Sequence, residues 1–347
     1  MENKKKRILW IFISLAMAVL CVWAVLKMSG DLSVGDMLIA FQDANPVVMG
    51  AAALSMFGFI FFEACAIRSL LRGAGYKQQS KSGLLYASAD VFFSAITPSA
   101  SGGQPASAFF MMHDGVSGAV STVVLLINLV MYTLAVFTAG VVAFLLMPSA
   151  VLSFSPLSKL LIVIGVAVVL VLMVIFLLVL RKGNLIFDVA AKFIGFLHRI
   201  KLMKHPEKRI KKLEKAREDY KECVRIMYGK RRSLIAAYIY NVLSRVSLTS
   251  VAMFVYLATE GTLSGARRIW VTQCWVSIGS NCAPIPGAMG VADYLMLDGL
   301  SAIMDQNAAT QLELLSRGMS FYLCVALSGL IMVVGYAIRF RKKGESK

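Results

Sequence analysis

The chain has little with which to do covalent chemistry. Its three histidines, His113, His198 and His205, share no metal-ligand spacing, and its six cysteines, Cys21, Cys65, Cys223, Cys274, Cys282 and Cys324, include no C-x-x-C pair. Five of the six lie in apolar stretches and read as small packing residues, not as a disulfide framework or a zinc site. No G-x-S-x-G, H-E-x-x-H, P-loop or ATP-binding cassette motif occurs, and no histidine base stands near the serine-rich stretches. Catalysis, a resident metal and a cofactor are therefore not expected. Charge is scarce as well. Only 16% of residues are charged, against about 25% in soluble domains. That excludes a large soluble domain.

Apolar residues are what the chain has in plenty. They make up 58% of it, and the mean hydropathy is +0.73. Runs near twenty apolar residues recur, each long enough to cross a bilayer. The expected fold is an all-α polytopic membrane protein, one transmembrane domain over 1–347. Full spans are expected at about 8–28, 47–67, 117–147, 159–180, 233–258 and 317–338. The basic start Lys4–Arg7 before an apolar run has the look of a signal peptide. However, the run to Met28 is too long for one, and Leu20 before Cys21 disfavours a lipoprotein signal, so 8–28 reads as a retained span.

The net charge of +17 suggests nucleic acid, but its placement argues against that partner. Of 36 Lys and Arg, 30 fall in the zones 4–7, 68–81, 181–232 and 339–347. Each zone abuts an apolar span, which is the positive-inside pattern of cytoplasmic segments. Loop 29–46 carries Asp31, Asp36 and Asp43 with no cation, and belongs outside. Both termini then lie in the cytoplasm, and the protein is a multi-pass protein of the cytoplasmic membrane. The stretch 181–232 holds 17 cations against six acids and is the basic cytoplasmic connector. After His205-Pro206, Ile210, Leu213, Tyr220, Val224 and Met227 recur at helical spacing, as in a connector helix resting on the bundle or on headgroups.

Two apolar regions, about 83–113 and 269–304, are interrupted. Pro98-Ser-Ala100-Ser-Gly102 in the first recurs as Pro286-Gly-Ala288-Met-Gly290 in the second, 188 residues later. Proline and glycine break a helix, and breaks at membrane depth survive only where the freed backbone faces protein or water. Tracing the charges gives two units, 1–147 and 159–340, each of three spans plus a broken re-entrant hairpin. The first unit starts inside and the second outside, so the hairpins approach the midplane from opposite faces as inverted repeats. An alternative count lets both hairpins cross fully. Paired breaks in corresponding halves point to a transporter's binding site.

The candidate substrate-binding residues follow from the breaks. In the first they are Asp90, Thr97, Ser99, Ser101, Gly102, Gly103 and Gln104. Pro105 suits the first turn of a new helix, so free amides from Gly102 to Ala106 are expected to face an anion. In the second they are Gln273, Asn281, Pro286, Gly287, Gly290 and Asp293. Arg245 joins them as an intramembrane cation able to clamp a phosphate. Asp90 and Asp293 would bind a headgroup amine or take up protons. The plainer readings are a kink satisfied by its own Ser and Thr, an ion pair of Arg245 with a carboxylate, and a Glu63 that reaches the cytoplasmic interface.

The segments Ser94–Pro105 and Ala283–Asp293 resemble the signature breaks of the lysylphosphatidylglycerol synthase/flippase transmembrane family, which includes MprF-type flippase domains and stand-alone YbhN-like proteins. The resemblance covers about residues 5–340. It implies a lipid translocase with re-entrant helices, moving anionic or aminoacylated phospholipids, or glycolipids, between leaflets. Bifunctional members add an aminoacyl-transferase domain after the last span. This sequence runs only to Lys347, and synthase activity is not expected of it. A homo-oligomer or a partner lipid-modifying enzyme is compatible with this reading. The alternatives are a secondary transporter of a soluble anion or amino acid, and a non-transporting partner of a lipid-modifying transferase.

Overall fold

The computed structural model describes residues 44–76, 80–97, 100–182, 187–188, 192, 206–259, 261–281, 283, 288 and 290–345. The expected first span at 8–28 lies outside the described residues, as do Pro98, Ser99, Pro284, Pro286 and Gly287. Among the described residues all regular structure is helical. In chain order the helices are α1 (Pro46–Gly73), α2 (Ser80–Ile96), α3 (Gly103–His113), α4 (Gly118–Leu146), α5 (Pro148–Leu152) and α6 (Pro156–Arg181). They continue with α7 (Pro206–Gly229), α8 (Arg231–Ala258), α9 (Leu263–Ser280), α10 (Val291–Ser301) and α11 (Gln306–Arg317). A π-turn at Gly318–Tyr322 leads into α12 (Leu323–Glu345).

Local chemistry sets the helix starts. The Asn45 side chain accepts the amides of Val47 and Val48 ahead of Pro46, and Ser117, Ser155 and Thr262 cap α4, α6 and α9. Such caps satisfy amides that have no partner within the helix.

Five helical segments among the described residues are long and apolar enough to cross a membrane: α1, α4, α6, α8 and Gln306–Ala337. They match five of the six expected spans, so the chain is a polytopic helical membrane protein. The last begins earlier than the expected 317, because the amphipathic α11 runs into α12 through the π-turn. At 1.5 Å per residue, the 29-residue α4 is about 43 Å long, more than the roughly 30 Å of hydrocarbon.

The interrupted regions form helix–break–helix units. α2 and α3 flank the first break, and α9 and α10 flank the second. α3 and α10 are 11 residues each, only about 17 Å, and too short to cross alone.

The antiparallel pair α1 and α8 forms the centre. The Asn45 amide donates to the Ala258 carbonyl (2.8 Å) at one end, and the Ser69 hydroxyl donates to the Ser233 carbonyl (3.2 Å) at the other. Midway, Ser244 Oγ donates to the Phe59 carbonyl (3.1 Å), and a Cβ on Gly58 would lie 3.2 Å from Ser247 Oγ. Small and hydroxylated residues let these backbones approach, which replaces the hydrophobic drive that lipid does not supply. Around this pair, α2 packs on α3, α1 and α12, while α9 packs on α10, α8, α4 and α6. α6 is the outer wall. Its Leu160, Val163, Val171 and Val174 are all more than half exposed, the pattern of a helix that faces lipid.

The connector helix α7 begins at Pro206, as expected. Tyr220, Cys223 and Met227 are buried against the bundle. The Tyr220 hydroxyl donates to the Val179 carbonyl (3.1 Å), and its ring packs edge-on to Phe187. Burial pushes the Tyr220 phenol up to about 12 and the Cys223 thiol up to about 11. Tyr220 therefore remains a donor at neutral pH, and Cys223 stays an unreactive thiol.

Candidate functional site

The first break is closed by its own side chains. Thr97 Oγ1 donates to the Phe93 carbonyl (2.6 Å) and accepts from the Gly102 amide (2.9 Å). The Ala106 amide bonds the Gly102 carbonyl (3.1 Å), and Pro105 has no amide proton. Of the amides expected to face an anion, that narrows the set to Gly103 and Gln104. Thr97 is occupied in the kink, whereas Ser101 is exposed.

Between Thr97 and Gly102, Ala100 adopts φ 53°. In the second break Ala288 adopts φ 50°. These are the only positive-φ residues other than glycine among the described residues, and they hold the same place in the two P-x-A-x-G motifs. A left-handed conformation costs an L-residue about 1–2 kcal/mol. Neither alanine has a polar side chain to offset that cost. The flanking glycines differ, since Gly290 has φ 79° whereas Gly102 is right-handed at φ −81°.

Asp90 joins the halves of the first unit. It is buried on α2, accepts from Ser94 Oγ (3.2 Å) and from Gln104 Nε2 of α3 (2.7 Å). Gly103 makes that approach possible, because a Cβ there would overlap Asp90 Oδ1 and Ser94 Oγ.

Beside it lies a polar chain that the sequence did not announce. Glu63 of α1 accepts from Asn128 Nδ2 of α4 (2.7 Å), and Asn128 Oδ1 accepts from Asn241 Nδ2 of α8 (3.0 Å). All three residues are buried. The plainer reading took Glu63 out to the cytoplasmic interface, but its side chain is enclosed by protein and bonded to Asn128. α1 runs ten residues beyond Glu63 to Gly73, about 15 Å, where an end at 67 would leave only about 6 Å. Polar residues inside apolar spans were the available signal for Asn128 and Asn241.

Arg245 completes the cluster. Its guanidinium carbon stands 4.7 Å from the centroids of both the Phe59 and Tyr132 rings, on α1 and α4. Cation–π contact offsets part of the burial cost. Its Nη2 reaches Ser244 Oγ at 3.4 Å, and no carboxylate pairs with it among the described residues within 4.0 Å. Asp90 lies within electrostatic reach of both Glu63 and Arg245. Four buried polar atoms here have no hydrogen-bond partner: Glu63 Oε2, Gln104 Oε1, Asn241 Oδ1 and Arg245 Nε. Each such atom costs about 1–3 kcal/mol. Three acceptors and one donor are thus left open beside two acids and one base.

The second unit is wired differently. Asp293 Oδ2 accepts the Gly290 amide (2.8 Å), capping α10, and Oδ1 forms an ion pair with Arg317 of α11. Glu313 lies 3.6 Å from Arg317 Nε. Arg317 was not among the expected site residues, because it falls at the start of an expected span. Asn281 Nδ2 donates to the Ser277 carbonyl (2.7 Å) and so closes the end of α9. Gln273 is half-buried on α9, near the middle of the helix. Asp90, Gln104 and Arg245 thus gather at one centre with Glu63, Asn128 and Asn241, while Asp293 and Gly290 belong to a second centre with Arg317.

No curated protein matches the chain. A family model described as the lysylphosphatidylglycerol synthase TM region matches residues 11–328, and the chain belongs to that family.

Proposed function

We propose that the chain is a lipid flippase or scramblase that passes a phospholipid or glycolipid headgroup through a polar pathway between two re-entrant hairpins. The supporting observation is the pair of left-handed alanines, Ala100 and Ala288, at matching places in two breaks. The same strained backbone at the same motif position is what duplicated, functionally retained breaks require. The packing agrees with inverted repeats. α2 packs on α12, the last span of the opposite unit, and α9 packs on α4, the last span of the first. The central helices α1 and α8, second spans of their units, run antiparallel, as an in-plane two-fold axis demands. Family membership adds a role connected with membrane lipid.

In this reading the headgroup enters beside the first break. Arg245 and the amides of Gly103 and Gln104 meet the phosphate, while Asp90 and Glu63 meet an amine. Ser101, Gln273 and Asn281 line the route, and acyl chains stay in the bilayer. Asp293 and Arg317 hold the second hairpin until the units rock. The test is the purified protein in vesicles containing a fluorescent phospholipid, quenched from outside by dithionite. The expected result is loss of signal from both leaflets with the wild type. Arg245→Leu and Asp90→Asn should protect the inner leaflet. Variants that fold and move lipid at the wild-type rate would remove these residues from the pathway. Protection of the inner leaflet by the wild type would remove the function.

A further inference from the structure

Away from the breaks, a cleft of about 320 Å³ opens where α6 meets the connector helix α7, lined by Leu180, Arg181, Tyr220, Lys221, Val224, Arg225 and Tyr228. We propose that it is a binding site for the phosphate of an anionic phospholipid, separate from the translocation pathway.

The lining has three cations and no acid. Lys221, Val224, Arg225 and Tyr228 share one face of α7 by their i, i+3, i+4, i+7 spacing, and Arg181 reaches the same cleft from the last turn of α6. Like charges four residues apart repel, and an anion bound between Lys221 and Arg225 would relieve that repulsion. Neither of them, nor Arg181, forms an ion pair within 4.0 Å among the described residues. Glu218 and Glu222, three residues before Lys221 and Arg225 on the same helix, are not among the residues that line the cleft. The floor is rigid: Tyr220 is 2% exposed and hydrogen-bonded to Val179, and Arg217 is tied to Asp188 at 3.2 Å. The three cations are therefore presented from a fixed frame.

The position selects a lipid over a soluble anion. The cleft lies at the end of α6, where the apolar span gives way to the basic connector. Directly along α6, Val171, Val174, Ile175 and Leu178 are exposed and offer a track for acyl chains. Leu180 and Val224 supply an apolar edge, and Tyr228, 56% exposed, is the amphipathic type that sits at headgroup level. Basic pockets at the cytoplasmic ends of spans recognise anionic headgroups in this way.

The experiment is native mass spectrometry of the full-length purified protein titrated with phosphatidylglycerol or phosphatidylcholine, with inorganic phosphate as competitor. The wild type should retain phosphatidylglycerol preferentially. A Lys221→Gln/Arg225→Gln double variant should lose about thirtyfold of that preference, from roughly fivefold per cation. A Lys211→Gln/Lys215→Gln variant, which removes exposed cations of the same helix outside the cleft, should retain it. Three results would overturn the proposal: equal retention of both lipids by the wild type, retention by the double variant equal to the wild type's, or complete displacement by millimolar phosphate. None of them bears on lipid flux in vesicles, so this site and the translocation pathway stand or fall separately.

Discussion

The two breaks use one backbone device and different charge pairing. Both place an alanine in the left-handed region between a proline and a glycine, and both lead into an 11-residue helix. In the first, the acid precedes the break. Asp90 sits on α2 and reaches forward to Gln104, near unpaired oxygens of Glu63 and Asn241. In the second, the acid follows the break, and Asp293 is met by Arg317 and by its own helix cap. Each centre sets two acids against one cation, but Arg245 pairs with no carboxylate within 4.0 Å among the described residues, whereas Arg317 pairs with both Asp293 and Glu313. In the proposed reading the unpaired cation marks the end that receives a headgroup, and the paired one the end that holds itself closed.

The largest effect expected from this contrast is at the glycines. Gly103→Ala places a methyl on Asp90 and Ser94, so the two half-helices must separate. Overpacking of this kind costs about 1–3 kcal/mol or more, and here it also breaks the Gln104–Asp90 bond. Gly290→Ala meets no atom within 4 Å and pays only for its φ of 79°, about 1–2 kcal/mol. Thermal unfolding in detergent should therefore rank Gly103→Ala below Gly290→Ala. The reverse order would mean that the halves of the first unit are not in close contact.

Next in size are the acids. Arg317→Leu leaves Asp293 and Glu313 without their cation in a partly buried position, for which a loss of about 1–3 kcal/mol is expected, below the roughly 3–5 kcal/mol of a fully buried pair. Arg317→Lys should restore part of it. Asp90→Asn keeps a side chain that still hydrogen-bonds Ser94 and Gln104 and removes a charge that Arg245 does not pair directly. Its unfolding midpoint should stay within a few degrees of the wild type, while lipid flux in vesicles falls. Equal stability losses for Arg317→Leu and Asp90→Asn would erase the contrast between the two ends.

Much of this was legible in the residues, for reasons that differ by level. The positions of α1, α4, α6 and α8 follow from apolar length alone, because lipid imposes helices on any uninterrupted run. The breaks were legible because Pro and Gly leave a local signature. Contacts between distant helices were not. Asp293 could have met Arg245 or Arg317, since neither spacing nor composition says which helices adjoin. Asn128 and Asn241 left a trace only as single polar residues in apolar spans. Glu63 was placed near an interface because hydropathy falls at Arg68, although the helix continues to Gly73. The left-handed alanines had no sequence signal, since alanine lacks the tendency of glycine, asparagine and aspartate to adopt that conformation.

Those alanines yield the smallest prediction and the most direct comparison. Ala100→Gly and Ala288→Gly each relieve a left-handed residue, gaining about 1–2 kcal/mol, and each loses about 0.4–1 kcal/mol of that to the greater freedom of glycine in the unfolded chain. The net is a stabilisation of a few tenths of a kcal/mol to about 1 kcal/mol at both sites. If the strain is stored for movement of the hairpins, both variants should unfold later than the wild type and yet move lipid more slowly. If the motif is only a turn, stability should rise with flux unchanged. A response at Ala100 alone, with Ala288→Gly neutral in both measurements, would show that the shared φ is a coincidence of turn geometry and that the two breaks do different work.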